Sequence, residues 1–407
     1  MDRAARFARA RIAAAFLVGL TIPLSVSISE IITALALALV LLERPPRAAW
    51  AAIARNPVVW ASVALFLLLT LALAYTAAPM NEAFRIWQKY RELIYLPLLL
   101  LLCRDHPAAR AGLAGFLLAV LAIIIANVAL RVIGAFSLAP FHRYSFFGSY
   151  IVEGVLIALA SYHLAIEAIT NPRWRYYAAA ASLVALLVAL YVEVGRTGYV
   201  VTIALGLLLL FQTAPRRWIV PGIMLIAVMA GSVFVVAPDL AGRMSGVLNA
   251  VGTQAGESST DPNFNAATSS AGARLRFYRH ALEVFARHPI FGTGTGSFNT
   301  VYNDQEAIAN YAMTSNPHNE FFMIGIQTGV VGVVLLLAFF ATLWFYAPRL
   351  SPIDAKRGRA ATLALAISCL FNSSLLDHVD GQSYIFQIAL FYFAAGFRED
   401  QRPRHNL

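Results

Sequence analysis

The chain has 407 residues, with 31 Lys and Arg against 21 Asp and Glu for a formal charge of +10, and 59% of it is apolar. Charged residues make up 13%, about half the roughly 25% typical of soluble domains. These figures exclude a soluble enzyme, a disordered chain and a disulfide scaffold. They leave an all-α polytopic membrane protein, because a chain in lipid must satisfy its backbone polar groups within helices. Cys103 and Cys369 lie in different apolar segments and are expected as free thiols. The positive excess is expected to mark loops on one side of a membrane, with no nucleic-acid partner.

In chain order, about twelve candidate transmembrane helices lie near 12–27, 28–43, 57–76, 84–102, 110–134, 150–169, 178–194, 198–213, 218–237, 317–346, 359–376 and 383–397. The first two share a turn near Pro23–Ser29, with a re-entrant hairpin as the alternative. Met1–Arg11 before an apolar run mimics a signal peptide; no small-x-small cleavage site follows, so a retained first helix is expected. Most basic residues fall in both termini and in every second connection, which predicts cytoplasmic ends. The chain thus divides into nine spans over 1–237, a large outer loop over 238–316, and three spans with a cytoplasmic tail over 317–407. The remaining basic residues, Arg85, Lys89, Arg143, Arg196 and Arg274 among them, fall on the outer side, where topology gives no reason for them.

Within the long loop, residues 252–272 are rich in Gly, Ser, Thr and Asn and cannot pack a core. The run that follows predicts an amphipathic helix with Leu275, Tyr278, Leu282 and Phe285 on one stripe, capped by Ser269 or Ser270 and ended by His288–Pro289. Arg274 opens this helix, where a cation meets the positive end of the helix dipole; an anion docked there would reverse the sign. The alternative is an ordinary solvated basic face.

Other candidates pair a functional reading with a plain one. Arg85 and Lys89, four apart at the outer start of the fourth span, repel mildly unless an anion sits between them; interfacial anchors are the plain account. Arg143 is a weaker candidate of the same kind. Arg196 stands between Gly195 and Gly198 in a tight outer hairpin, either paired with Glu193 or presented as a planar fork to a phosphate. The run 291–298 (FGTGTGSF) fits neither a P-loop nor a dinucleotide fingerprint and is read as a turn that sets the loop against the bundle. Asn316 and Pro317 predict a helix start that puts His318 in the first turn of the tenth span, on the same face as Gly325, Gly329 and Gly332. Such a small-residue stripe admits another helix. The helix dipole disfavours an imidazolium there, leaving a ring that can accept a proton; a hydrogen-bonded packing histidine is the alternative. Asp377, His378 and Asp380 are read as a solvated turn with no metal.

Taken together, Arg196-Thr-Gly198, the Arg274-led helix, the glycine-rich turn, and His318-Asn319 followed by Gly329-x-x-Gly332 resemble the O-antigen ligase and polymerase superfamily of bacterial envelope glycosyltransferases. The resemblance covers residues 180–345 and implies a C-type glycosyltransferase-like membrane fold. It also implies a glycan donor on undecaprenyl pyrophosphate at the periplasmic face of the inner membrane and, for ligases, a lipid A–core acceptor. By the same resemblance His318 is the essential histidine, Arg196 and Arg274 bind the donor pyrophosphate, and transfer is inverting without a metal or cofactor. Ligase ranks first because such members have about this length, with polymerase second. Protein-glycosylating members usually carry a C-terminal extension not expected here. From another class, a lipid-linked glycan transporter or flippase fits the span number, but transporters place polar sites near the midplane, whereas these candidates cluster at the outer boundary.

Overall fold

The computed structural model describes residues 3–132, 149–193, 195–236, 270–309 and 315–393, and every regular element among them is a helix. The first expected span is α1 (Arg3–Thr21), the second α2 (Val26–Glu43), and a short α3 (Arg47–Ala54) leads into α4 (Pro57–Leu71). The expected fourth span is broken at Tyr90 into α5 (Met80–Lys89) and α6 (Glu92–Leu102). Then follow α7 (His106–Val132), α8 (Tyr150–Thr170), α9 (Arg175–Tyr191), α10 (Arg196–Thr213) and α11 (Ile219–Val236). The loop contributes α12 (Ser270–Arg287) and α13 (Phe298–Ala309), and the last three helices are α14 (Glu320–Tyr346), α15 (Pro352–Phe371) and α16 (His378–Phe391).

Among the described residues, seven helical stretches are long and apolar enough to cross a membrane by length and composition, and α9 is a shorter apolar helix. The chain is therefore an all-helical, multi-pass membrane protein. Four expected spans fall short of that measure for visible reasons. Helix α1 carries Arg3, Arg6, Arg9 and Arg11, α5 and α6 are separate, α15 begins with Asp354, Lys356, Arg357 and Arg359, and α16 has only 14 residues.

Helix starts follow from their caps. Ser25, Asn56, Ser149, Asn319, Ser351 and Asp377 each accept a backbone N–H of the first turn, satisfying donors that the helix itself cannot. Helix α16 is the centre of the molecule: every side chain from Asp380 to Phe391 is buried. Helices α1 and α7 approach almost backbone to backbone, because a Cβ on Gly19 would overlap the Gly112 carbonyl and one on Gly115 the Phe16 carbonyl. Small residues allow such contact where lipid gives helices no hydrophobic reason to associate. Val220, Met224, Leu225 and Val228 of α11 remain exposed, as a lipid-facing helix requires.

Two basic residues expected only as topological charges have structural partners. Arg11 pairs with Glu43 and Asp105, and Arg104 holds the same Glu43 at 3.1 and 2.5 Å, with both arginines buried. This four-residue knot ties α1, α2 and the α6–α7 junction together at one end of the bundle.

At the other end the glycine-rich turn docks into a break in α14. Gly329 has φ 66° and ψ −162°, a conformation closed to most L-residues. The break turns the amide of Val330 to the Pro289 carbonyl at 2.7 Å. The carbonyls of Ile326 and Gln327, freed from their own helix, accept the amides of Thr293 at 2.9 Å and Gly294 at 2.8 Å. The Gln327 side-chain oxygen takes Gly296 N–H at 2.6 Å, and Thr295 bonds Leu69 and Ala72 of α4 and the 3-10 turn that follows it. The turn thus sets the loop against the bundle, as read from the sequence. The small-residue stripe admits a helix at Gly325, which faces Phe285 of α12, and the glycine-rich turn at Gly329, which faces Ile290.

Candidate active site

His318 is not in the first turn of α14. The helix starts two residues later, with Asn319 as its cap accepting from Phe321 and Phe322 N–H at 2.9 and 3.2 Å. Asn316 instead closes a small turn by accepting the His318 amide at 2.8 Å. Between two asparagine-stabilised turns, His318 adopts φ 54°, in the left-handed region that L-residues other than Asn, Asp and His seldom enter. Such a conformation persists only where the surroundings enforce it.

Four side chains do so. Tyr278 of α12 donates its hydroxyl to the His318 carbonyl at 3.0 Å and lies 3.2 Å from the Leu370 carbonyl. Asn319 donates to that same carbonyl at 2.9 Å. Ser373 donates to Asn316 at 2.8 Å. Glu320, fully buried, accepts the Leu375 amide at 2.8 Å and the Tyr90 hydroxyl at 3.0 Å. The histidine turn is therefore clamped between α12, the end of α15 and the start of α6. The imidazole itself is half-buried.

Helix α12 runs beside the first turns of α14: Tyr278 packs on Phe322 with ring centroids 5.1 Å apart, and Phe285 meets Gly325. Its buried face differs from the expected stripe. Ala281, Val284 and His280 are buried, whereas Leu282 is 54% exposed. The helix starts at Ser270, so Arg274 does not open it but is its fifth residue, one turn before Tyr278; its side chain, and that of Arg276, lie outside the described residues. Arg143 and nearly all of the 252–272 segment are also outside them.

Arg196 is the first residue of α10, half-buried, after Gly195 at the cap. The Tyr162 hydroxyl donates to Gln212 at 2.6 Å and to the Lys356 carbonyl at 3.1 Å. The end of α10 therefore meets the start of α15, and Arg196 lies toward the opposite end, where α15 reaches the histidine turn. Gly198 admits no ligand: its Cα side is filled by Gly154 of α8. Beneath it, Asn127 donates to Glu153 at 2.7 Å and to Glu193 at 2.9 Å, with all three side chains buried. Arg85 is exposed, 3.7 Å from Glu82, and Lys89 ends the same short helix half-buried. The two belong to a separate amphipathic helix and not to the start of a span.

Asp377, His378 and Asp380 were expected as a solvated turn; Asp377 and His378 are half-buried and Asp380 is buried. Ser373 and Ser374 are fully buried and Asp380 nearly so, the last accepting from Asn372 and Ser374. The reason is the clamp itself, which presses this turn onto Glu320. His378 leaves its sequence neighbours to meet Glu92 at 3.2 Å and Glu30 at 3.9 Å, while Arg91 pairs with Glu30. Atoms of Glu30, Glu92 and His378 lie within 4.8 Å of one another, a spacing compatible with metal ligation. Sequence reasoning missed this group because its members come from three helices far apart in the chain. It missed Glu320 and Tyr90 for the same reason, although an acid directly after His318-Asn319 in an apolar chain was a visible signal.

No curated protein matches the chain. A family description, O-antigen ligase, matches residues 181–337, from α9 through the loop to the middle of α14. The match covers Arg196, Arg274, His318 and Gly329 together, and its members are glycosyltransferase-like enzymes of lipopolysaccharide synthesis. It indicates activity of the O-antigen ligase and polymerase type. Residues 181–337, less than half of the chain, thus carry the likeness to the O-antigen ligase superfamily.

Proposed function

We propose that this protein is an O-antigen ligase, which moves a polysaccharide from undecaprenyl pyrophosphate to a sugar hydroxyl of lipid A–core. In this reading the protein crosses the inner membrane twelve times with both termini in the cytoplasm, and the His318 end faces the periplasm. His318 removes the proton from the acceptor hydroxyl, whose oxygen attacks the anomeric carbon of the donor. The bond from that carbon to the phosphate oxygen breaks, and undecaprenyl pyrophosphate leaves with the electron pair. Arg196 and Arg274 bind the departing phosphates, because a guanidinium fork matches two oxygens and stays charged. Arg143, Arg85 and Lys89 add positive potential around the donor, while Asn319, Gly329 and Gly332 support the histidine turn.

One observation carries this reading. His318 is held in a left-handed conformation by Tyr278, a residue of the same helix as Arg274 and one turn beyond it. The proposed base and one proposed phosphate ligand thus sit on two elements joined by a direct hydrogen bond.

The test is transfer from a synthetic lipid-pyrophosphate glycan to purified lipid A–core. His318→Ala should lower turnover by at least about 100-fold with an unchanged elution profile. Wild-type turnover by that variant removes the histidine from the mechanism. In a deletion strain, lipid-linked polymer of full length should accumulate; caps of a single repeat unit would instead assign the protein as a polymerase.

A further inference from the structure

The glycine-rich turn belongs to the large loop, yet its tip is apolar and, among the described residues, uncovered: Phe291 is 63% and Ile290 58% exposed. Leu71, Tyr75, Phe84 and Val330 are exposed as well, and the six meet in one place. The Tyr75 hydroxyl donates to the Phe291 carbonyl at 2.8 Å, and the Val330 amide to the Pro289 carbonyl at 2.7 Å. The Phe84 ring stands edge-on to Trp87, with centroids 5.9 Å apart, and the Trp87 indole N–H donates at 2.9 Å to Thr70, next to Leu71.

Two independent counts give the depth of this patch. A bilayer core takes about 20 helical residues. The stretch Pro57–Tyr75 is 19 residues long and begins just after Arg55, so its other boundary falls at Tyr75. The stretch Glu320–Arg349 has 30, more than a core needs; about 20 counted back from Tyr346, beside Arg349, end near Gln327. Both boundaries fall on residues bonded to the turn, since Tyr75 holds Phe291 and the Ile326 and Gln327 carbonyls hold Thr293 and Gly294. Irregular backbone at such depth needs its polar groups satisfied by protein. The turn follows that rule: the carbonyls of Pro289, Ile290 and Phe291 and the amides of Gly292, Thr293 and Gly294 all have protein partners.

We infer that this patch is a membrane-binding surface, with the Ile290–Phe291 tip and the Phe84 side of α5 inserted into the leaflet at the His318 end, against the glycerol and upper acyl region of phospholipids. Exposed apolar patches mark partners. Lipid is the occupant because the patch continues the lipid-facing sides of α4 and α14, where Leu67 and Val334 are exposed. Arg85 is exposed directly after Phe84, as a cation at headgroup depth should be. The loop is thereby held to the bilayer as well as to the bundle. The inference needs only a chain that crosses a membrane, so it and the ligase reading can fail separately.

The experiment places a nitroxide on the full chain in nanodiscs of phosphatidylethanolamine and phosphatidylglycerol, by way of Phe291→Cys and, separately, Phe84→Cys; the native Cys103 and Cys369 are buried. Collisions with oxygen, which partitions into lipid, are compared with collisions with a water-soluble nickel chelate. Leu67→Cys, at the middle of α4, is the lipid reference, and Arg279→Cys, whose native side chain is 75% exposed on α12, the water reference. Both test labels should collide with oxygen several times more often than with nickel, as the Leu67→Cys label does. Nickel collisions matching those at Arg279→Cys overturn the inference. So does protection from both reagents, which would assign the patch to a second copy or another protein. If Phe291→Cys fails to fold, Phe84→Cys, from the other element, decides alone.

Discussion

His318 owes its backbone geometry to groups that do no chemistry. Removing the phenol hydroxyl in Tyr278→Phe deletes the bond to the His318 carbonyl and leaves the ring against Phe322. A net hydrogen bond is worth about 1 kcal/mol, so turnover should fall several-fold with little change in the Michaelis constant, as measured in the transfer assay. Arg196→Ala should instead raise the donor Michaelis constant, with a loss of about 2–3 kcal/mol for a charge-assisted pair, and Arg196→Lys should restore little of it because the fork is gone. At this scale the structure corrects the setting expected for His318. Residue types and their order pointed to His318 and Arg196. The helix start was misplaced because Asn316-Pro317 and Asn319 are both acceptable caps, and only the contacts of Asn316 with His318 and Ser373 decide between them. The clamp from Tyr90, Glu320 and the 370–375 turn was illegible, since it joins residues that only the folded bundle brings together.

Among the elements, α14 is the most constrained. Its middle is broken at Gly329, and a Cβ there would overlap the Ile290 backbone while φ stays at 66°. Gly329→Ala should therefore destabilise the fold by more than the roughly 1–3 kcal/mol of backbone strain alone, visible as a lower Tm and faster proteolysis of residues 270–309. Gly231, whose Cβ would meet nothing within 4 Å in the middle of α11, is the control, and Gly231→Ala should hold or slightly raise Tm. Hydropathy located helices at all twelve candidate spans because lipid forces every backbone group into local bonds. It could not foresee the break in α14, since Gly329 within an apolar run carries no mark distinguishing a kink from a packing stripe. Nor did it separate α5 from α6, because Trp87 and Tyr90 keep the run looking continuous.

For the whole molecule, the two ends of the bundle are tied by different groups. The end bearing His318 is knit by hydrogen bonds to the buried carboxylates Glu320 and Asp380 and by the Glu30, Arg91, Glu92 and His378 group, and the other end by the Arg11–Glu43–Arg104–Asp105 knot. Glu43→Ala would take the carboxylate from buried Arg104 and leave buried Arg11 with Asp105 alone. Losing one partner of such a cluster costs about 3–5 kcal/mol, so the variant should express poorly and melt early, while Glu43→Asp should recover part of the loss. Charge counting alone assigned Arg11 and Arg104 to topology, and the partner carboxylates Glu43 and Asp105 were plain in the sequence beside them. What the sequence withheld was their proximity across α1, α2 and the α6–α7 junction.

The docking of the glycine-rich turn also has a bearing on biogenesis. Residues 289–296 are synthesised before α14, and they carry the amides and carbonyls that the broken helix needs. A nascent α14 entering the bilayer alone satisfies itself only as an unbroken helix. The bend at Gly329 is then an assembly step, completed when the earlier-made turn captures the helix after insertion.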